Sequence, residues 1–135
     1  MANAVKLRET IAVIRENQNR WGQTSYADGV VNPNATTWQE CDTSFCLGGW
    51  RCVLDGLRPR YYAMDFDDED DPESFYAFDG FYDPADPQRK YIMPYDHAMV
   101  SFGLTERQAD FLFLCMTRDL AVLEDRVERV IAGEI

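Results

Sequence analysis

Four cysteines and a single histidine are the side chains of this 135-residue chain best suited to hold a metal or attack a substrate. Cys41 and Cys46 are separated by four residues, a spacing zinc tolerates, and Cys115 with His97 would complete four ligands. The competing reading makes Cys46 and Cys52 small apolar residues of a buried helix, since the paired CxxC knuckles of a zinc site are absent. The expectation is therefore no metal and no cofactor, with Cys41, Cys46, His97 and Cys115 as the weak candidates. Thiol catalysis is the next chemistry to weigh. Cys46 falls in the first turn of an expected helix, whose N-terminal dipole would lower its pKa. Gln39 and His97, with Asp96 beside it, have the residue types a cysteine hydrolase needs, but Glu40 and Asp42 oppose a thiolate and the surrounding signature is missing.

Two other chemistries fail on spacing. A calcium loop wants acids at positions 1, 3 and 5, Gly at 6 and Glu at 12. Starting at Asp67 the acids fall correctly at Glu69 and Asp71, but Pro72 and Phe78 occupy the last two positions. Starting at Asp65 those positions are Asp70 and Tyr76. Phosphate chemistry has neither a GxxxxGK[ST] nor a GxGxxG to stand on, and Gly48-Gly49 lies inside an expected helix instead of before one.

The charge is more informative. Lys and Arg number 13 against 24 Asp and Glu, a net of −11. That balance argues against direct contact with nucleic acid or an anionic membrane surface. No apolar run approaches the roughly 20 residues of a membrane span, and Lys6, Arg8 and Glu9 interrupt the N-terminal stretch, so a soluble cytoplasmic protein is expected. Between Tyr61 and Gln88 there is no Lys or Arg, yet ten acids occur. Without them the chain has 14 acids and 13 bases, a net of −1. The same window holds eight of the 18 aromatic residues. Solubilising tails are poor in aromatics, whereas acid–aromatic interleaving suits segments that dock on basic, partly apolar grooves.

The elements that must carry these residues read as one mainly α domain over residues 1–135. About five helices surround a buried central one, with an acidic, aromatic-rich insertion at 57–94. Ala4 to Asn17 has Leu7, Ile11 and Ile14 at helical spacing. The central helix is expected to start near Asp42-Thr43-Ser44, good N-cap residues, and to stop at Gly56. Its body from Phe45 to Leu54 is apolar nearly all round, broken by Arg51, and Gly48-Gly49 suggests close approach of another backbone or of Trp38. Gly22 to Thr37 reads as loop. Asp79-Gly80, flanked by Phe75–Phe78 and Phe81-Tyr82, predicts a two-stranded hairpin turn. A short helix from Tyr95 should end at Gly103. Thr105 and Gln108 form a capping box opening a helix with Phe111, Leu112 and Cys115 buried. A last helix from about Arg118 aligns Leu120, Leu123, Val127 and Val130.

Trp38-Gln39 with Cys41-Asp-Thr-Ser-Phe-Cys46-Leu-Gly-Gly-Trp50, and the later Phe102-Gly-Leu-Thr105, Gln108-Ala109 and Phe111-Leu-Phe113, resemble two blocks of a group of small proteins from actinobacteria and their phages. Asp42 stands where that group usually has Gly. The resemblance implies a phage or actinobacterial accessory protein, cytoplasmic and in the host cytoplasm if phage-encoded, and brings no activity with it. The resulting expectation is a non-enzymatic protein that binds a host or phage protein with a basic groove, as a nucleic-acid mimic or inhibitor in its sharper form. Phe66, Phe75, Tyr76 and Phe81 are the expected anchors, with Asp67, Asp68, Asp70 and Asp71 supplying the field. The alternatives are a small zinc or thiol protein centred on Cys41, Cys46 and His97, or a structural virion component.

Overall fold

The computed structural model describes residues 1–23, 28–29, 43–63 and 76–135; the side chains of residues 28, 29, 43, 61–63, 76 and 77 are left aside. Five α-helices and two small antiparallel sheets make up the described fold: α1 (Ala4–Glu16), β1 (Asp28–Gly29), β2 (Thr43–Ser44), α2 (Leu47–Leu54), β3 (Arg58–Ala63), β4 (Tyr76–Tyr82), α3 (Pro94–Phe102), α4 (Glu106–Phe113) and α5 (Leu120–Ile131). The mainly helical reading with a small β insertion is what the structure has.

The helix ends follow their local chemistry. The Asn3 side chain accepts the Lys6 N–H to start α1. Thr105 and Gln108 close the expected capping box on α4. Asp119 caps α5, which therefore begins two residues after Arg118. Gly103, at φ 66°, ends α3 in the left-handed conformation that glycine adopts without steric cost. Leu7, Ile11 and Ile14 of α1 and Leu123, Val127 and Val130 of α5 are buried as their spacing requires, while Leu120 is only partly covered. Two ion pairs lace these helices together outside the core, Arg8–Glu128 and Arg15–Glu124.

Helix α2 is the centre of the molecule. Every residue from Leu47 to Val53 is buried, and the helix packs against α1, α3, α4 and β3. Around it lie Phe45, Trp50, Phe81, Phe102 and Leu112, all fully buried, each contributing about 1.5–3 kcal/mol by leaving water. The start of α2 differs from the expectation. Thr43 and Ser44 are extended and pair with Gly29 and Asp28, and Phe45 bonds Arg20 and Gly22 through its backbone. The first cap comes only at Cys46, whose sulfur accepts the Gly49 N–H. Sheet pairing has overridden the caps that Thr43 and Ser44 offer. Trp38 and Asp42 fall outside the described residues.

The insertion also differs. Asp79-Gly80 does not turn the chain; it lies within the continuous strand β4, which pairs with β3 from Arg58↔Tyr82 to Ala63↔Tyr76. The register skips at Asp79, which makes a β-bulge of the same dipeptide. The backbone of β4 then continues to a short partner, with Phe81 and Ile92 exchanging both main-chain hydrogen bonds. The turn comes instead at 83–89, where the Asp83 and Asp86 carboxylates accept the N–H groups of Ala85 and Gln88. Gly80 serves the bulge at φ 136°, and a Cβ there would lie 3.0 Å from Tyr91 Cε2 and 3.2 Å from the Ile92 carbonyl oxygen. Gly80→Ala is expected to cost about 2 kcal/mol or more through strained backbone and crowding, seen as a lower denaturation midpoint with unchanged slope.

Candidate functional site

Three groups of residues stand as candidates, and the cysteines come first. Cys46, Cys52 and Cys115 are free thiols, all buried. Cys46 and Cys52 lie on α2 or at its cap, the Cys52 sulfur facing the Pro94 carbonyl at 3.9 Å. Cys115 lies past the end of α4, not on its buried edge as expected. Burial pushes the Cys46 thiol up to about 11, against the downward pull of the Gly49 and Gly48 N–H groups. The helix N-terminus does act on it, but desolvation of the thiolate is the larger effect, which reverses the expected activation. Burial likewise raises Cys52. Among the described residues no group of three or more His, Cys, Asp or Glu side chains is arranged to hold a metal ion. Cys41 and Gln39 lie outside them. In native protein near neutral pH, Cys46, Cys52 and Cys115 should resist alkylation by iodoacetamide and react once urea unfolds the chain, as peptide mapping would read.

His97 belongs to a different cluster. It sits on α3 one turn before Ser101, and both reach Asp55 just past the end of α2. Asp55 Oδ2 lies 2.9 Å from His97 Nε2 and accepts the Ser101 hydroxyl at 2.6 Å. Arg51, one turn earlier on α2, donates to Asp55 Oδ1 at 2.8 Å and to Glu9 Oε1 at 3.1 Å. The same guanidinium also reaches the Thr10 hydroxyl at 3.2 Å, and it stands over the Phe102 ring at 5.9 Å. The Lys6 ammonium closes the network on Ser101 at 3.3 Å.

Serine, histidine and aspartate are thus together, but in the wrong order for nucleophilic catalysis. A hydrolase needs the imidazole between hydroxyl and carboxylate, to take the proton from one while the other orients it. Here the carboxylate is in the middle and bonds both. Burial pushes the Asp55 carboxyl upward, yet the hydrogen bonds from His97 and Ser101, with the charge and bonds of Arg51, outweigh it and hold the group well below the usual range. So strongly stabilised a carboxylate is a poor base. What the arrangement does is compensate Arg51, whose side chain is only 4% exposed, and tie α1, α2 and α3 at one junction.

Removing that carboxylate leaves Arg51 buried beside the more distant Glu9 alone. Asp55→Asn is expected to cost about 2–3 kcal/mol, below the full value for a completely buried pair because Asp55 keeps some water contact. Since the folded carboxyl titrates below its ordinary 3.8, its contribution is complete above that pH and fades as pH falls through and below it. The stability gap between wild type and Asp55→Asn should therefore be full at neutral pH and shrink in acid, as urea titrations at several pH values would show.

The acidic, aromatic window is the third group. Phe81 is not available as an anchor: it is fully buried, 5.3 Å from the Phe78 ring and 6.4 Å from that of Phe45, because the bulged strand turns it into the core. Tyr76 opens β4. Phe66, Asp67, Asp68, Asp70, Asp71 and Phe75 lie outside the described residues. At the near end of the sheet, Asp79 Oδ1 approaches Arg60 Nε at 3.5 Å, and Asp83 pairs with Arg89. Arg60 also lies over the Tyr91 ring at 5.6 Å. A cleft of about 430 Å³ opens there, lined by Arg60, Tyr82, Pro84, Pro87, Arg89 and Lys90 among others.

The sequence reading missed two residues that organise these groups. Gln23, placed in a loop, is buried; its amide oxygen accepts from Leu47 N–H and Trp21 Nε1, and its nitrogen donates to the Leu112 carbonyl. Nothing in its neighbourhood signals that role. Arg51 carried a signal, as the one charge in an apolar helix with Asp55 four residues on. Among the described residues no helix is long and apolar enough to cross a membrane. Comparison with protein-family models, curated proteins and solved structures finds no match to this chain.

Proposed function

We propose that this chain is a non-enzymatic accessory protein that captures a protein partner with a basic groove through the acidic, aromatic segment between Tyr61 and Asp86. The observation that carries the reading is the separation of charge. Ten acids and no base occupy the stretch from Tyr61 to Gln88, and the remainder of the chain nets only −1. The β3–β4 ladder supports it, because it seats Ala63 against Tyr76 and so brings both ends of residues 64–75 to one place. Those twelve residues carry seven acids, and chain connectivity alone keeps them within about 20 Å of that pair. A cluster of one sign at that density projects a potential of several kT, enough to steer encounter with a cationic surface.

Phe66, Phe75 and Tyr76 remain the anchors in this reading, while Phe81, buried in the core, is no longer one of them. The thiol alternative loses support, because Cys46 and Cys52 are buried with raised pKa values. In the sharper form, the carboxylates imitate phosphates and occupy a nucleic-acid-binding site on the partner. The phage-type, host-directed role implied by the resemblance fits such an inhibitor.

The test is affinity capture from an actinobacterial lysate with the wild-type chain and with Asp67, Asp68, Asp70 and Asp71 all changed to Asn. The wild type should retain a basic protein at low salt, release it at high salt, and lose it to competing duplex DNA if the mimicry holds. The Asn variant should fold normally and retain roughly a hundredfold less, as expected when several charge contacts are lost together. Equal retention by the two proteins would overturn the reading.

A further inference from the structure

The cleft between the β3–β4 sheet and the turn at 83–89 is framed by a closed piece of backbone. Phe81 and Ile92 exchange both main-chain bonds, the Asp83 N–H donates to the Arg89 carbonyl at 3.0 Å, and the Arg89 N–H to the Asp86 carbonyl at 3.0 Å. The walls are therefore held in place before a ligand arrives, which keeps the ordering cost of binding low. Phe81 points into the core, so alternation turns Tyr82 to the opposite face, the one Arg60 shares through its pairing with Gly80. Tyr82, Pro84 and Pro87 give that face an apolar surface, and Pro84, Pro87, Arg89 and Lys90 are exposed. At about 430 Å³ the cleft has the size of a small-molecule site.

The charges of the cleft sort into answered and unanswered. Asp79 stands 3.5 Å from Arg60, and Asp83 stands 3.5 Å from Arg89. Lys90 forms no ion pair among the described residues. Asp86 spends one carboxylate oxygen on the Gln88 N–H and meets no cation there either. The two lie four residues apart on the same cleft and do not pair with each other. One positive and one negative group are thus left for a ligand, beside an apolar surface. We propose that the cleft binds a free aromatic α-amino acid. Its carboxylate rests on the Lys90 ammonium, its ammonium on the Asp86 carboxylate, and its ring against Tyr82 and the two prolines. A simple anion would leave Asp86 opposing it, and a polyphosphate would meet one unanswered cation where it needs several. A peptide terminus brings only one of the two charges.

This site uses none of Asp67, Asp68, Asp70 and Asp71, so it and the capture of a partner can fail separately. The test follows the backbone amide NMR signals of the full chain as L-tryptophan is added to about 10 mM, well above the affinity expected of so small a ligand. L-alanine, N-acetyl-L-tryptophan and L-tryptophanamide are compared with it. Two variants accompany them. Asp86→Asn keeps the oxygen that accepts the Gln88 N–H, and Lys90→Met leaves the backbone carbonyl that Arg60 bonds. Unchanged amide signals away from each substitution confirm the fold. L-tryptophan should shift the Ala85, Gln88 and Arg89 amides with a dissociation constant of about 1 mM or below. Either blocked derivative, and either variant, should raise that constant about three- to fivefold, the effect of one exposed charge contact, and L-alanine should not bind. No shift at the highest concentration overturns the proposal. So does equal binding by either blocked derivative or by either folded variant.

Discussion

One buried cation sets the terms for the rest of this molecule. Arg51 lies in the middle of a helix that is covered on every side, and a guanidinium in that position is tolerable only if its charge is answered and its terminal NH groups are bonded. Asp55 answers from the end of the same helix, Glu9 and Thr10 from α1, and His97 and Ser101 hold Asp55 from α3. Three helices are therefore registered to one another by polar geometry, where apolar packing alone would tolerate several arrangements. Arginine suits the task because its planar fork reaches several acceptors at once and stays charged. The cluster has the residue types of a catalytic site and the connectivity of a structural one.

With α2 fixed, the placement of the sheet follows. Phe45 leads into the helix, Phe81 packs beside it, and Phe78 stacks edge-on against Phe81. The root of β4 is thereby part of the core, and β3 leaves α2 after only a tight turn at Gly56 and the buried Leu57. The bulge at Asp79 lets one strand serve both purposes. It keeps Phe81 inward, and Gly80 leaves room for Tyr91 and Ile92 beside it.

Much of the helical scaffold was legible because its signals are local. Gly103, the Thr105–Gln108 box and the apolar stripes of α1 and α5 each decide an element within one or two turns of chain. The misreadings have one cause in common, a local signal outweighed by a distant partner. Asp-Gly suits a hairpin turn and a bulge equally, and only Tyr91 and Ile92, more than ten residues away, select the bulge. Thr43 and Ser44 are better caps than Cys46, but β1 and Arg20 draw them and Phe45 into extended pairing. The thiol of Cys46 feels both the helix dipole and its burial, and the sequence shows only the first. For the candidate site, the charge segregation was plain from the residues, whereas the interior position of Phe81 depended on which face of β4 the bulge would turn inward.

If the carboxylates between Tyr61 and Asp86 serve a partner and not the fold, their mutual repulsion should weigh on the isolated chain. The most direct measurement is the thermal midpoint of the wild-type protein near 1 µM chain at neutral pH, as sodium chloride rises from about 10 mM to about 0.5 M and the Debye length shrinks from roughly 30 Å to a few Å. The midpoint should rise by several degrees as the repulsion is screened, while the buried Arg51–Asp55 pair is little affected. A midpoint that falls with salt would mean that the acids are already engaged by cations of the fold itself, and that they are structural.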